Sequence, residues 1–428
     1  MGPMQIRKVF LLKFKKLLLG SLLLCLIAQA CWLALVRHQR QLKLDSYFLE
    51  RSREASSRYD STRRRGSNWT LKLSSNTYND ELPGKTVTKE LQRENATLLM
   101  LVRNWELPGA LRSMRSLEDR FNKDFQYDWT FLNDVPFDEE FIEATTAMAS
   151  GNAQYALIPA EDWNRPSWIN DTLFEEALQL MEEKNILYGG SKSYRNMCRF
   201  NSGFFFRQKI LDQYDYYFRV EPDVEYFCDF PYDPFKVMRQ NNKKYGFVIA
   251  MYEYEDTIPS LWEAVEEYLE ETKSRDADME NNAFGFISNF DFFGKSFGVL
   301  DSNSDYNLCH FWTNFEIGDL SFFRSEKYIK FFEYLDSKGG FYYERWGDAP
   351  VHSIAVSLLL KRDEIIHFDE LGYKHMPFGT CPSAHYLRLQ QRCLCDSNHP
   401  DNIDLNVISC LRRWWKDGSG KYFLKHDS

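Results

Sequence analysis

FRVEPDVEYFCDF, residues 218–230, sets carboxylates into a run of aromatic and β-branched side chains. Its acidic residues are Glu221, Asp223, Glu225 and Asp229. Burying an ionised carboxylate costs several kcal/mol unless a cation or hydrogen-bond donors compensate its charge. The stretch therefore predicts a cationic or hydrogen-bonding partner for its carboxylates.

The carboxylates begin where a strand is predicted to end. Tyr216–Val220 has the pattern of a buried strand, and Pro222 stops ladder pairing just after it. Glu221 and Asp223 are two residues apart, which places both on one side of an extended chain. Two such carboxylates favour a divalent cation, and oxygen ligands suit Mg²⁺ or Mn²⁺. The alternatives are a solvated loop or a salt bridge from Glu221 to Arg219.

Strand and helix patterns alternate along the rest of the chain. The strand candidates are Thr97–Val102, Trp129–Leu132, Tyr155–Ile158, Tyr216–Val220 and Tyr245–Met251. Thr172-x-x-Glu175 and Ser260-x-x-Glu263 are capping-box patterns that open amphipathic runs. The alternation indicates an α/β domain with a largely parallel sheet, which binds ligands beyond the carboxyl ends of its strands. The sequence has no GxGxxG and no Walker-type loop, which argues against a dehydrogenase or a P-loop kinase.

The N-terminal region predicts a membrane anchor. Residues 17–36, LLLGSLLLCLIAQACWLALV, are uncharged and follow a short basic tail, residues 1–16. About 20 apolar residues cross a bilayer as a helix, so we predict a transmembrane signal-anchor. A cleaved signal peptide is the alternative because Ala28-Gln29-Ala30 resembles a cleavage site, but the apolar run continues to Val36. Residues 37–94 are polar and predict a stem before a folded domain at 95–428.

The charge is divided unevenly along the chain. Residues 1–95 hold 18 Lys and Arg against 8 Asp and Glu, a net charge of +10, so the remainder carries −19 of the total of −9. An acidic body argues against nucleic acid or anionic lipid as its ligand. If this body binds a phosphate ester, a metal or a few local cations must bridge the two.

Glycosylation and cysteine patterns favour a lumenal body. Acceptor triplets begin at Asn68, Asn95 and Asn170, and seven of the nine cysteines follow the predicted span. Seven is an odd number, so we predict one unpaired thiol. Cys393-Leu394-Cys395 could be half of a metal site, but no second pair at zinc spacing is present, and we predict disulfides.

Two further carboxylates are candidate functional residues. Glu316 ends the dense aromatic stretch 306–315, where partial desolvation suits nucleophilic or acid/base work on a sugar. The alternative places Glu316 on a solvent-facing helix. Asp348 is followed by Pro350 and predicts a helix N-cap, a structural role.

A histidine completes the candidate set. His375 lies between Gly372 and Pro377, which predicts a loop. A neutral imidazole in a loop can bind a metal. His375 is a candidate metal ligand only in combination with Glu221.

Four segments resemble the fungal Golgi α-1,2-mannosyltransferase family, glycosyltransferase family 15. They are YFRVEPDVEYFCDFPYDPF, YNLCHFWTNFEIGDLSFFRS, GGFYYERWGDAPVHSIA and HFDELGYKHMPF. The resemblance implies a glycosyltransferase-A-like (Rossmann-like) domain in a type II Golgi membrane enzyme. Such an enzyme transfers mannose from GDP-mannose to mannosyl acceptors on N-linked or O-linked glycans, with retention of configuration and with Mn²⁺.

The resemblance also implies roles for individual residues. The metal-binding residues of the family fall on Glu221 and His375, and its proposed nucleophile falls on Glu316. This glutamate could attack the anomeric carbon, or it could stabilise an oxocarbenium-like state while the acceptor attacks the same face.

The remaining matches concern substrate binding. Tyr194 matches a tyrosine that lines the donor site, Arg219 matches the arginine before the metal glutamate, and Arg103 lies where the first strand ends near the nucleotide. Asp348 matches an acidic residue near the acceptor, which competes with the N-cap interpretation. A catalytically silent mannan-binding or scaffolding protein on the same fold remains the alternative function, and a different nucleotide sugar is a further possibility.

Overall fold

The computed structural model describes residues 93–273, 281–288, 306–404 and 406–417. The predicted tail, the predicted span at 17–36, the triplet at Asn68 and all but the last two residues of the predicted stem lie outside these ranges. The described residues belong to one structural unit, Val87–Asp427. In the ranges that the structure describes, no helix is long and apolar enough to cross a membrane.

The strands of the described residues are short, and most follow the apolar runs of the sequence. In chain order they are β1 (Ala96–Leu101), β2 (Asp128–Asn133), β3 (Ala153–Leu157), β4 (Tyr216–Arg219), β5 (Glu225–Tyr226), β6 (Tyr245–Phe247), β7 (Ala250–Tyr252), β8 (Cys309–Phe311), β9 (Glu316–Asp319), β10 (Ile365–His367), β11 (Tyr373–His375) and β12 (Phe378–Thr380). The predicted single strand Tyr245–Met251 is two strands, because β6 joins the central sheet and β7 pairs with β8.

The central sheet is mixed and largely parallel, as predicted. Its seven strands have the order β10-β6-β9-β4-β1-β2-β3. β1 is parallel to both β2 and β4, β2 is parallel to β3, and β10 is parallel to β6. β9 runs antiparallel to β4 and β6, so its amino end lies at the edge where the parallel strands end. A smaller sheet has the order β12-β11-β5.

Helices cover the sheet and connect its strands. The longer ones are Leu107–Leu117, Glu139–Met148, Asp171–Glu183, Lys192–Gly203, Pro234–Gln240, Leu261–Thr272, Glu326–Ser337, Asp348–Leu359, His385–Gln390 and Leu411–Asp417. Short helices are Lys123–Phe125, Ala160–Trp163, Phe284–Ile287, Leu320–Phe323 and Gly340–Tyr343.

Neither predicted capping box forms. Asn170, rather than Thr172, caps the helix Asp171–Glu183, because its side chain accepts a hydrogen bond from the amide of Leu173. Ser260 precedes the helix Leu261–Thr272 but makes no side-chain cap bond. The helix positions were therefore predicted correctly, and the capping chemistry was not.

Apolar side chains pack against both faces of the central sheet. In β1, Leu99 belongs to one buried cluster, whereas Leu98 and Met100 belong to the other. β4 alternates in the same way, with Tyr217 on the first face and Phe218 on the second. This burial on both faces is typical of parallel strands, and it leaves the strand ends as the place for polar chemistry.

Six of the seven cysteines in the described residues form three disulfides, Cys228–Cys393, Cys309–Cys410 and Cys381–Cys395. Cys198 is buried and unpaired, which confirms the predicted single free thiol. The sulfurs of Cys228, Cys393 and Cys395 lie within 4.8 Å of one another. Because all three are oxidised in two adjacent disulfides, they are not thiolate ligands, and the disulfide interpretation of Cys393-Leu394-Cys395 is confirmed.

The disulfides generate a stability prediction. Cys309–Cys410 spans 101 residues and Cys381–Cys395 spans 14. Because the entropy of loop closure grows with loop length, Cys309→Ala/Cys410→Ala should lower the free energy of unfolding by about 4–5 kcal/mol, and Cys381→Ala/Cys395→Ala by about 3 kcal/mol. Non-reducing urea denaturation measures both losses.

Cys198→Ala is the control, since it removes a buried sulfur without opening a covalent loop, and it should cost about 1–2 kcal/mol. A loss for Cys381→Ala/Cys395→Ala that exceeds the loss for Cys309→Ala/Cys410→Ala would contradict the loop argument.

Candidate active site

A cavity of about 140 Å³ opens at the strand ends of the central sheet. Residues from six segments of the chain line it, and the polar ones include Arg103, Asn133, Asn201, Arg219, Glu221 and Glu316. β1, β2 and β4 contribute through their carboxyl ends, whereas β9 contributes through its amino end. The antiparallel insertion of β9 therefore brings a carboxylate from a distant part of the chain to this edge.

Strand register determines where Glu316 lies. Glu316 is paired with Arg219 of β4 on one side and with Phe247 of β6 on the other. Residues that pair directly across strands share a face of the sheet, so Glu316 lies on the same face as Arg219. Glu316 is only 1% exposed. The alternative of a solvent-facing helical glutamate is therefore wrong.

Arg219 joins three carboxylates. Its guanidinium donates to Glu221 Oε1 at 2.5 Å and to Asp348 Oδ2 at 2.5 Å. Its Nη1 also lies 3.9 Å from Glu316 Oε1. Burial alone would lower the pKa of Arg219, but the charges of Asp348, Glu221 and Glu316 raise it well above its usual value. The arginine is therefore a permanent cation at the centre of the acidic cluster.

Glu221 lies beside His375, as the sequence analysis predicted. Glu221 Oε2 is 3.5 Å from His375 Nε2. Burial raises the pKa of Glu221, but the charge of Arg219 and the hydrogen bond from His375 outweigh it and lower that pKa to about 2. Burial lowers the pKa of His375, and contact with Glu221 reverses this effect and raises it.

The small sheet brings His375 to this position. β11, which ends at His375, pairs with β5 in the register Tyr373 to Tyr226, and β5 follows the turn after Glu221. His375 is therefore the last residue of a short strand and not a loop residue. Its Nδ1 lies 3.0 Å from the carbonyl oxygen of Met376, which requires a proton on Nδ1.

The other carboxylates of the opening stretch have separate partners. Asp223 has a left-handed backbone conformation and pairs with Arg112 at the surface. Asp229 forms salt bridges with Arg120 and Arg392. The predicted sharing of one cation by Glu221 and Asp223 is therefore wrong. The alternative salt bridge from Glu221 to Arg219 is correct.

Asp348 does not act as an N-cap. It is the first residue of the helix Asp348–Leu359, and Gly347 occupies the N-cap position. Its Oδ2 accepts hydrogen bonds from the Thr313 hydroxyl at 2.8 Å and from Arg219. The side chain is thus committed to the acidic cluster, which contradicts the capping interpretation.

Two predicted donor-site residues lie at the margin of this cluster. Arg103 lines the cavity and donates to the hydroxyl of Ser193. Tyr194 is not part of the cavity lining, and its ring stacks on Tyr188 with centroids 4.6 Å apart. The guanidinium of Arg345 lies 5.3 Å from the Tyr194 ring centroid on the other side.

Comparison with known proteins decides the family. The family model described as glycolipid 2-alpha-mannosyltransferase matches residues 51–419. The chain belongs to this mannosyltransferase family. It is 88% identical over 425 residues to probable mannosyltransferase KTR2 of Saccharomyces cerevisiae, a match that covers 99% of this chain and 100% of the relative.

Two solved mannosyltransferases share the fold. Core-mannan synthase A (CmsA/Ktr4) of Aspergillus fumigatus, in a Mn/GDP form, has a TM-score of 0.70 and 38% identity over 77% of this chain and 87% of its own. Ktr4p of S. cerevisiae in complex with GDP has a TM-score of 0.71 and 36% identity over 77% of this chain and 83% of its own.

Several residues of the candidate site were not predicted from the sequence. The hydroxyls of Tyr217 and Tyr245 donate to Glu316 at 2.9 and 3.0 Å. Asn133 and Asn201 line the cavity, and their buried side-chain amide nitrogens have no hydrogen-bond partner among the described residues. Isolated tyrosines and asparagines belong to no recognisable motif. The one available signal was the position of the two tyrosines in predicted strands.

The arginine cluster generates a second stability prediction. Arg219→Met leaves three largely buried carboxylates without their cation, so the free energy of unfolding should fall by at least about 3–5 kcal/mol. Arg199→Met is the matched control, because Arg199 is similarly buried but pairs with Asp336 alone. Urea denaturation without divalent metal measures both, and a smaller loss for Arg219→Met than for Arg199→Met would contradict the prediction.

Proposed function

We propose that this protein is a retaining α-1,2-mannosyltransferase that uses GDP-mannose as donor and Mn²⁺ as cofactor. Its acceptors are mannosyl residues on the N-linked or O-linked glycans of glycoproteins. One observation supports this most directly: Arg219 joins Glu221, Glu316 and Asp348 beside a cavity that Arg219, Glu221 and Glu316 line, and His375 lies against Glu221. The Mn/GDP form of the related core-mannan synthase supports the donor and the metal.

The residues present fit a manganese ion. Because the Nδ1–H of His375 donates a hydrogen bond to the Met376 carbonyl, loss of the Nε2 proton would leave a lone pair on Nε2 for a metal, 3.5 Å from Glu221 Oε2. A carboxylate oxygen and an imidazole nitrogen form a donor set that suits Mn²⁺. Glu221 and His375 would hold the ion, and bound Mn²⁺ would neutralise the diphosphate of the leaving GDP. Such an ion would also explain how a folded domain with a net negative charge binds an anionic donor.

Glu316 is the residue that we propose acts at the anomeric carbon of the donor. Its Oε2 is held by Tyr245 and by His352, whereas its Oε1 accepts from Tyr217 and lies near Arg219. An ionised carboxylate in such a site can attack the anomeric carbon or stabilise developing positive charge there. Both roles retain the α configuration, and both require the carboxylate.

Asp348 would contribute to the acceptor side. Asp348 is anchored by Thr313 and Arg219, so its second oxygen, Oδ1, can accept a hydrogen bond from an acceptor hydroxyl. The proposed donor-binding residues are Arg103 and Arg219, which line the cavity, and Tyr194, which lies outside its lining. The departing phosphate or a carboxylate would take the acceptor proton.

The silent-protein alternative fits the site poorly. A scaffold has no need to bury three carboxylates around one arginine, because such a cluster is costly to desolvate. We also propose the location suggested by the sequence, a single-pass type II Golgi membrane protein with the folded domain in the lumen. The three disulfides agree with an oxidising compartment.

The proposal predicts the effect of removing the Glu316 charge. Glu316→Gln should lower kcat by at least ~10³-fold, because the neutral amide neither attacks nor stabilises a cation, while the Kd for GDP changes less than ~3-fold. Transfer of labelled mannose from GDP-mannose to α-methyl mannoside with Mn²⁺ measures kcat, and calorimetry measures Kd.

Asp319→Asn is the control, since it neutralises another buried carboxylate of β9, one that pairs with Lys244. It should keep near-normal transfer. Near-normal turnover of Glu316→Gln would remove this residue from the mechanism. Equal or faster transfer from another nucleotide sugar by the wild type would contradict the donor assignment.

A second prediction concerns the metal. His375→Ala should weaken Mn²⁺ binding at least ~10-fold, because one of two protein ligands is lost. Calorimetric titration with MnCl₂ in the presence of GDP measures the affinity. His399→Ala is the matched control, since His399 Nδ1 lies 3.6 Å from a carboxylate oxygen of Asp401 in a comparable pair. An unchanged titration for His375→Ala would reject the metal site.

A further inference from the structure

His352 is a completely buried histidine that the family resemblance did not assign. It lies in the helix Asp348–Leu359, and its ring is surrounded by Phe205, Phe323 and Tyr328. Its Nδ1 is 3.0 Å from Glu316 Oε2. Its Nε2 is 3.0 Å from the backbone carbonyl oxygen of Asn201 in the helix Lys192–Gly203. Both ring nitrogens are therefore engaged inside the core.

The two contacts constrain the protons of the ring. A carbonyl oxygen only accepts hydrogen bonds, so Nε2 of His352 must carry a proton to bond to Asn201. A second proton must lie between Nδ1 and Glu316 Oε2, because otherwise two lone pairs would face each other at 3.0 Å. The pair is then either an imidazolium with a carboxylate or a neutral imidazole with a carboxylic acid.

The surrounding groups favour the ion pair. Glu316 faces donors on every side that the structure describes, namely the hydroxyls of Tyr217 and Tyr245 and, at 3.9 Å, Nη1 of Arg219. Burial and the charge of Glu316 raise the pKa of both tyrosines well above the usual value, so both remain hydroxyl donors. His352 faces only acceptors, a carboxylate and a carbonyl. This arrangement satisfies an imidazolium and a carboxylate together.

We infer that His352 is a positioning residue whose imidazolium keeps Glu316 ionised and fixes its Oε2. The inference rests on the proposed function only for the role of Glu316. The proton stays on Nδ1 throughout. An electron pair on Oε1 stabilises or bonds to the anomeric carbon, and the bond from that carbon to the phosphate breaks with its electron pair on GDP. The carbonyl of Asn201 prevents the ring from rotating away.

Three substitutions separate charge from packing. His352→Gln should lower kcat by ~10²- to 10⁴-fold with the KM for GDP-mannose within ~3-fold, because Gln cannot replace Nδ1–H. His352→Asn, whose amide can donate from the place of Nδ1, should retain more kcat than Gln. His352→Phe keeps the ring volume without any donor and should be no more active than Gln.

His310→Asn is the matched control. Among the described histidines, only His310 and His352 are less than a tenth exposed to solvent. Burial lowers the pKa of His310. The structure shows no contact between His310 and Glu316, so the kcat of His310→Asn should stay within ~3-fold of the wild-type value. Near-normal kcat for His352→Phe would show that the ring only packs, and it would overturn the inference.

Nitrogen NMR of the ¹⁵N-histidine-labelled full chain tests the proton directly. Near neutral pH, wild-type His352 should have protons on both ring nitrogens, and Glu316→Gln should leave it with the Nε2 proton alone. A singly protonated His352 in active wild-type enzyme would overturn the inference and leave the transferase function intact. Inactive wild-type protein with a doubly protonated His352 would count against the function instead. If the His352 variants do not fold, the wild-type and Glu316→Gln spectra decide.

Discussion

The site depends on the charge balance around one buried guanidinium. Arg219 lies between Glu221, Glu316 and Asp348, three carboxylates from segments that are distant in sequence. Without this cation the three groups would repel one another in a poorly solvated region, and some of them would take up protons. Because Arg219 compensates their charge and keeps them close together, one edge of the sheet presents the three carboxylates for which we propose metal binding, work at the anomeric carbon and acceptor binding.

The mixed sheet makes this arrangement possible. Parallel strands direct their carboxyl ends to one edge, where β1, β2 and β4 contribute to the cavity. β9 is antiparallel and delivers its first residue, Glu316, to the same edge. Glu316 lies on the same face of the sheet as Tyr217 and Tyr245, and the helix Asp348–Leu359 packs against the apolar cluster on that face. The glutamate is thus desolvated by the core and compensated by donors from that core.

The site contains two carboxylate–histidine pairs that differ in solvent exposure. Glu221 and His375 are each about one-quarter to one-third exposed at the side chain, 26% and 31%, which leaves room for an ion to reach them. Glu316 and His352 are sealed, at 1% and 0%. The accessible pair is open to an ion from solvent, whereas the buried pair is held by hydrogen bonds within the core. In the proposed function, metal binding and the orientation of the nucleophile would therefore depend on separate histidines.

The sequence alone was enough to predict the family, the α/β class, most strand positions and the single free thiol among the seven cysteines after residue 36, since local apolar patterns and long specific blocks carry that information. It also marked Glu221, His375 and Glu316 as site residues, and their roles in metal binding and catalysis stay a prediction. Only the tertiary structure decided which partner each carboxylate takes. Asp348 binds Arg219 instead of capping its helix, Asp223 pairs with Arg112 at the surface, and His352 meets Glu316. Glu316 and Tyr217 are separated by 99 residues and meet only through strand register. Such hydrogen bonds depend on how strands and helices pack, and no local pattern of residue types encodes that packing.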